Sequence, residues 1–168
     1  WLEHTLQADV FAKPLAESQT TLQPSLRAKW RQLKQVKGIS FLQQTRLPVN
    51  NRQIVLNAVE QATMGKKSMQ FKSVAEAPWQ KWETGNVFIS EPLALKRDLR
   101  PGDEIALPTA KGQHEFKVAA VYYDYATDQG SILMHYKAFQ SHWNEWRPHS
   151  AAFYLAETAK ASQFARKL

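Results

Sequence analysis

Five histidines, two neighbouring aspartates and a run of tyrosines are the side chains of this 168-residue sequence whose types could do chemistry. His135, His142 and His149 lie within one stretch near the C-terminal end. Their spacing gives no i, i+4 pair on a helix, no His-Glu-x-x-His and no finger pattern, so no metal site is expected. The sequence has no cysteine, which excludes both disulfides and thiolate ligands. Ser90 lacks the Gly-x-Ser-x-Gly surroundings of an exposed nucleophile, and its hydroxyl reads as a helix cap. Asp124 and Asp128 could serve as a carboxylate pair for acid–base work. Both lie beside a turn, where aspartate more commonly accepts backbone N–H groups. No catalytic residue is therefore assigned, and the expectation is of a protein that is not an enzyme.

The aromatic residues point to contact, not to chemistry. Along a strand, Tyr123 and Tyr125 share one face and Tyr122 lies on the other. One face belongs to a core, and two tyrosines on an exposed face would form a contact surface, since each buries a large area while keeping a polar tip. Trp79, Trp82, Trp143 and Trp146 fall where periodicity is weak. With Tyr123 and Tyr125 they are the candidate substrate- or partner-contact residues, core packing being the competing role for the tryptophans.

The elements that must position these residues follow from the pattern. Leu6, Ala8 and Val10 alternate with polar neighbours and give a first strand closed by Pro14. From Pro24, Leu26, Trp30, Leu33 and Val36 recur at helical spacing, with Gly38 as the terminating residue. Two strands follow, Ile39 to Leu47 and Arg52 to Val59, reversed at Pro48-Val49-Asn50-Asn51. Between Gln61 and Gly85 the pattern reads as loop with one short helix. Strand 86–89, a helix from Glu91 to about Asp98, a Pro101-Gly102-Asp103 turn, strands 104–107 and 115–123 across Lys111-Gly112, and strand 132–136 make a small β-rich unit. A short helix over 137–144, strand 150–155 and a helix from Thr158 close the chain. The ends, β-α-β-β and β-α, add up to an α+β fold, a split ferredoxin-like porter-type subdomain over 1–60 and 148–168 with an inserted lobe over 61–147.

Composition sets the class. The sequence is 43% hydrophobic with 11% aromatic residues, enough for a packed core. No run approaches the roughly 18 apolar residues of a bilayer span and no signal-peptide pattern is present, so the stretch as given is expected to be soluble. It begins at Trp1 and stops within the last predicted helix, so both ends read as cut, with flanking segments expected. The net charge of +7 is dispersed. Its densest groups, Arg27, Lys29, Arg31, Lys34 and Lys37, then Lys66 and Lys67, then Lys96, Arg97 and Arg100, read as solvated faces. Trp30 lies on the apolar side of its helix, away from the basic stripe, which argues against nucleic acid as a partner.

The ordered series Val87-Phe88-Ile89-Ser90-Glu91-Pro92-Leu93-Ala94, then Leu99-Arg100-Pro101-Gly102-Asp103-Glu104-Ile105, then Phe116-Lys117-Val118-Ala119-Ala120-Val121-Tyr122-Tyr123-Asp124-Tyr125 resembles the periplasmic part of FtsX-like permeases of ABC transporters. The upstream helix into Gly38-Ile39 with its two strands resembles the start of the MacB-type periplasmic core domain. The Tyr-Tyr-Asp-Tyr run and Asp128 to Met134 are similar to a subgroup distinct from MacB itself, so no substrate is carried over. The resemblance implies an extracytoplasmic domain between two transmembrane helices, at the periplasmic face of the inner membrane in a Gram-negative source. It implies no cofactor here, with ATP bound by a separate cytoplasmic subunit or domain, consistent with the lack of a Gly-x-x-x-x-Gly-Lys-Ser/Thr loop. A second permease copy and a periplasmic partner protein are the further partners open to it. Export or extraction of a hydrophobic or lipid-linked molecule is the implied task, and a stand-alone periplasmic binding or adaptor module is the alternative.

Overall fold

A computed structural model describes residues 8–14, 21–61, 63–157 and 160–168. In chain order the elements are β1 (Val10–Ala12), α1 (Pro24–Arg31), β2 (Val36–Val49), β3 (Arg52–Glu60), α2 (Thr63–Ser68), β4 (Phe71–Val74), α3 (Pro78–Glu83), β5 (Val87–Ser90), α4 (Glu91–Arg97), β6 (Glu104–Thr109), β7 (Gly112–Tyr122), β8 (Ser131–His135), α5 (Tyr136–Trp143), β9 (Ser150–Leu155) and α6 (Ala161–Ala165). The described residues form two compact units, one of 8–43, 60–69 and 147–168, the other of 44–59 and 70–146. The segment 44–59, grouped with the chain ends by sequence pattern, falls in the second unit. Its apolar residues Leu47, Val49, Ile54 and Leu56 belong to that unit's core.

In the first unit β9 is the central strand and every residue of it is buried. It pairs antiparallel with β1, Val10 opposite Phe153, and with the first half of β2, Ser40 opposite Ala152. Phe153 receives Trp30 of α1 edge-on at 5.1 Å and Phe164 of α6 at 5.3 Å, so both helices pack on one strand residue. Pro24 starts α1 in the first turn, where its missing N–H costs nothing. The helix ends at Arg31, not at Gly38. Gly38 lies inside β2 at a register irregularity between Val36 and Gly38, the bulge role that glycine also fills in strands. Arg31 is bidentate to Glu60 at 2.7 and 2.8 Å and lies 5.0 Å from the Phe41 ring centroid. Leu6 and its neighbours in the first expected strand, and Thr158 of the last expected helix, lie outside the described residues.

The second unit begins with the far half of β2 and the hairpin into β3. Asn50 and Asn51 both take positive φ, 50° and 60°, the backbone that a two-residue hairpin turn needs and that asparagine tolerates. Pro48 remains in the strand. β3 runs parallel to β8, β8 antiparallel to β5, β5 parallel to β7, and β7 antiparallel to β4 and β6. The stretch 61–85 holds α2, β4 and α3, not loop with one helix. Six-residue helices show too little of the 3.6-residue period to be read, and β4, paired on one side only, carries mostly exposed side chains. The core gathers Ile54, Leu56, Val87, Ile89, Leu93, Phe116, Ile132, Met134 and Phe139.

Candidate functional site

β7 ends at Tyr122, and the chain then enters the loop that carries the other two tyrosines. Tyr122 is buried and points inward; its hydroxyl lies 2.7 Å from Ser131 Oγ on β8. Ser131 Oγ donates to Asp124 Oδ2 at 2.6 Å. A serine hydroxyl has one hydrogen, so the Tyr122 O–H is the donor to Ser131. Burial and the Asp124 carboxylate push the Tyr122 phenol well above its usual range, which keeps that proton in place. Asp124 Oδ1 accepts from Ala126 N at 3.0 Å, the turn role expected of it. Ser90 occupies the N-cap of α4 but does not cap it. Its hydroxyl accepts from Ser131 N at 2.8 Å. Pro92, in the first turn of the helix, removes one N–H that a capping side chain would reach, and the hydroxyl turns into the sheet instead. With both serines buried, this network holds the loop that follows β7.

That loop presents Tyr123 and Tyr125, 45% and 66% exposed. Tyr123 N donates to Gln70 O at 3.2 Å, tying the loop to the residue before β4. The Tyr125 hydroxyl donates to Glu91 Oε2 and Lys72 Nζ to Glu91 Oε1. Hydrogen bonds from Lys72 and then Tyr125 hold the Glu91 carboxyl below its ordinary range, and the bond to Glu91 raises the Tyr125 phenol. Glu91 therefore contributes to stability above the ordinary carboxyl range, and that contribution is lost as pH falls through its lowered value. In Glu91→Gln, Tyr125 is expected to ionise at a lower pH than in the parent. Ultraviolet phenolate titration, with Tyr125→Phe subtracted, measures this, and an unchanged titration would break the assignment of the pair.

The four tryptophans separate. Trp82 is 1% exposed and donates its indole N–H to Leu133 O at 3.1 Å. It stacks on Phe88 at 5.9 Å and meets His135 at 4.9 Å, so it is core and not contact surface. Trp79, half-buried, touches Phe71, Phe88 and Trp82. Phe71 thus brings Trp79 to the same sheet edge as Tyr123, since it is paired with Tyr122 across β4 and β7. Trp143 stacks on Phe139 at 5.0 Å and on Phe116 at 6.3 Å, while Trp146 meets Tyr136 at 5.3 Å. The His114 and His142 rings meet at 4.2 Å, tilted by 41°. Among the described residues no three histidine, aspartate or glutamate side chains gather as a metal site. The residues that sequence reasoning missed are Lys72 and Glu91. Their pairing joins two chain segments without a local signal.

The folded chain is like two solved extracytoplasmic domains. One is the extracellular domain of the noncanonic ABC-type transporter YknZ from Gram-positive bacteria, with a TM-score of 0.67 at 10% identity over 91% of this chain and 86% of that one. The other is the periplasmic region of MacB from Actinobacillus actinomycetemcomitans, with a TM-score of 0.60 at 12% identity over 94% of this chain and 79% of that one. In sequence, 96% of the chain aligns at 28% identity with an uncharacterized ABC transporter permease protein of Mycobacterium tuberculosis. The fold is that of the extracytoplasmic domains of YknZ and MacB. The chain spans 20% of the length of the Mycobacterium tuberculosis protein. No family model matches the sequence. The fold is the mixed α/β arrangement expected of the FtsX/MacB type, and the tyrosine-bearing loop after β7 is held by polar contacts within that arrangement.

Proposed function

We propose that this chain is the extracytoplasmic, non-catalytic domain of an ABC transporter permease, and that it couples ATP hydrolysis by a separate cytoplasmic subunit to export or extraction of a substrate. The observation that carries the reading is the alignment of 96% of the chain with an ABC transporter permease protein. The surface of Tyr123, Tyr125, Glu91 and Lys72 is the proposed contact region for substrate or for a periplasmic partner protein. Two exposed tyrosines on a loop pinned by buried hydrogen bonds give contact area with little ordering cost. Trp79 supports that edge from behind, while Trp143 and Trp146 serve the core.

The lack of cysteine in these 168 residues makes the reading testable. In the full-length permease carrying Tyr125→Cys, a membrane-impermeant maleimide applied outside intact cells is expected to label this domain. The unsubstituted permease sets the background. Labelling only after the cytoplasmic membrane is opened overturns the extracytoplasmic placement. The purified 168-residue chain is expected to hydrolyse no ATP, and turnover by it alone overturns the non-catalytic reading.

A further inference from the structure

A depression of about 420 Å³ in the second unit is lined by side chains from three separated stretches of sequence. Arg52 comes from the start of β3, Lys96 and Arg97 from the last turn of α4, and Gln129 from the turn before β8. Ile54 and Leu93, both buried, form its apolar floor. Each cation is tethered by a hydrogen bond to a neutral acceptor. Arg52 reaches the Gln129 side-chain oxygen at 3.4 Å, Arg97 reaches Val49 O at 3.3 Å, and Lys96 reaches the Asp128 carbonyl. Among the described residues none of the three is in an ion pair. Elsewhere carboxylates do answer cations, as Glu60 answers Arg31 and Glu91 answers Lys72.

A neutral tether fixes the direction of a cation without cancelling its charge. An arginine has five N–H donors and a lysine three, so one hydrogen bond apiece leaves most of the donors free. Three formal positive charges therefore converge on one concave site. The negative end of α4 opposes an anion there, but the helix has only seven residues and its partial charge is smaller than any one of the three full charges. Guanidinium pairs with tetrahedral oxyanions in a two-pronged fit, and lysine adds a point charge.

We infer that Arg52, Lys96 and Arg97 form a binding site for a phosphate ester, with the anion held by the three cations above Ile54 and Leu93. The site stands on the depression and its charges and does not depend on the transporter reading. Two sources carry this chemistry, the headgroup of an anionic phospholipid and a soluble phosphate ester, and the test separates them.

The 168-residue chain is mixed with vesicles of phosphatidylglycerol in phosphatidylcholine, with vesicles of phosphatidylcholine alone, and, by calorimetry, with glycerol 3-phosphate. A second set uses Arg52→Gln/Lys96→Gln/Arg97→Gln, checked by circular dichroism for an unchanged fold. Because Arg97 also braces the hairpin, Arg52→Glu/Lys96→Glu serves as a second variant. Flotation with phosphatidylglycerol vesicles only, lost about tenfold or more in both variants, supports the site with a lipid headgroup as ligand. Binding of glycerol 3-phosphate without flotation, lost equally in both, supports it with a soluble ester. In either case raising the salt severalfold is expected to weaken binding about tenfold. Binding that survives both variants but falls on Lys29→Gln/Lys34→Gln/Lys37→Gln means diffuse attraction to the basic segment 29–37 and overturns the site. So does the lack of binding in every arm.

Discussion

Trp82→Ala is expected to lower the stability of the second unit by about 3–5 kcal/mol, the usual cost of emptying a buried tryptophan position. The side chain lies between Phe88 and His135 and is edge-on to Trp79 at 5.4 Å. All three lose a face of contact when it goes. The indole N–H also leaves Leu133 O without its donor on a buried strand, which adds a desolvation penalty to the cavity. Trp82→Phe retains the stacking on Phe88 and loses chiefly the hydrogen bond, so about 1–2 kcal/mol is expected. Urea unfolding followed by far-ultraviolet circular dichroism and by tryptophan fluorescence measures both. In thermal scans each kcal/mol corresponds to roughly 2–4 °C for a chain of this size. A residue used only for partner contact would leave the unfolding midpoint where it was, so an unchanged midpoint in Trp82→Ala would return Trp82 to the contact surface.

The fate of Trp82 marks where sequence pattern stopped being informative. Strands β5, β7 and β8 and helix α4 were legible because their apolar residues are clustered and bounded by turn residues. The Asn50-Asn51 reversal and the Pro101-Gly102-Asp103 turn were legible because they rest on backbone chemistry that only a few residues support. α3 was not, since six residues do not complete two turns, and its two tryptophans could not be sorted into buried and half-buried without the sheet beneath them. Gly38 fits the pattern of a helix end as well as that of a bulge, and only the pairing of β2 with β9 distinguishes them. The Ser90 hydroxyl reads locally as a helix cap for a related reason. Its acceptor role toward Ser131 depends on strand pairing, and the cap rule sees only the local chain. The candidate surface was half visible. Tyr123 and Tyr125 stood out by type, whereas Glu91, Lys72 and the group of Arg52 with Lys96 and Arg97 come together only through the fold.

Gly130 is the position where a single added carbon is expected to do the most. Its φ of +94° already strains any side-chain-bearing residue. A Cβ built there would also lie 2.5 Å from Leu93 Cβ and 2.9 Å from both Leu93 N and Leu93 Cα. Two of those three atoms are backbone of α4, so no rotamer change relieves the clash, and either the turn or the helix must shift. Gly130 O accepts from Val55 N at 3.3 Å and Gly130 N donates to Thr127 O at 3.2 Å, so a moved turn also loosens β3. Ser131, the next residue, bridges Ser90, Asp124 and Tyr122, and its displacement would release the loop that carries Tyr123 and Tyr125. Gly130→Ala is therefore expected to cost about 3 kcal/mol or more, the strain and the overpacking adding together. Gly102 provides the comparison. Its φ is +102°, yet nothing lies within 4 Å of a built Cβ, so Gly102→Ala pays only for backbone conformation, about 1–2 kcal/mol. Equal losses in the two variants, measured by urea unfolding, would mean that backbone conformation alone matters at both glycines and that the close approach of the turn to α4 contributes nothing. A larger loss at Gly130 places the clamp between turn and helix at the base of both the tyrosine loop and the basic depression, whose Gln129 and Asp128 anchors lie in the same turn.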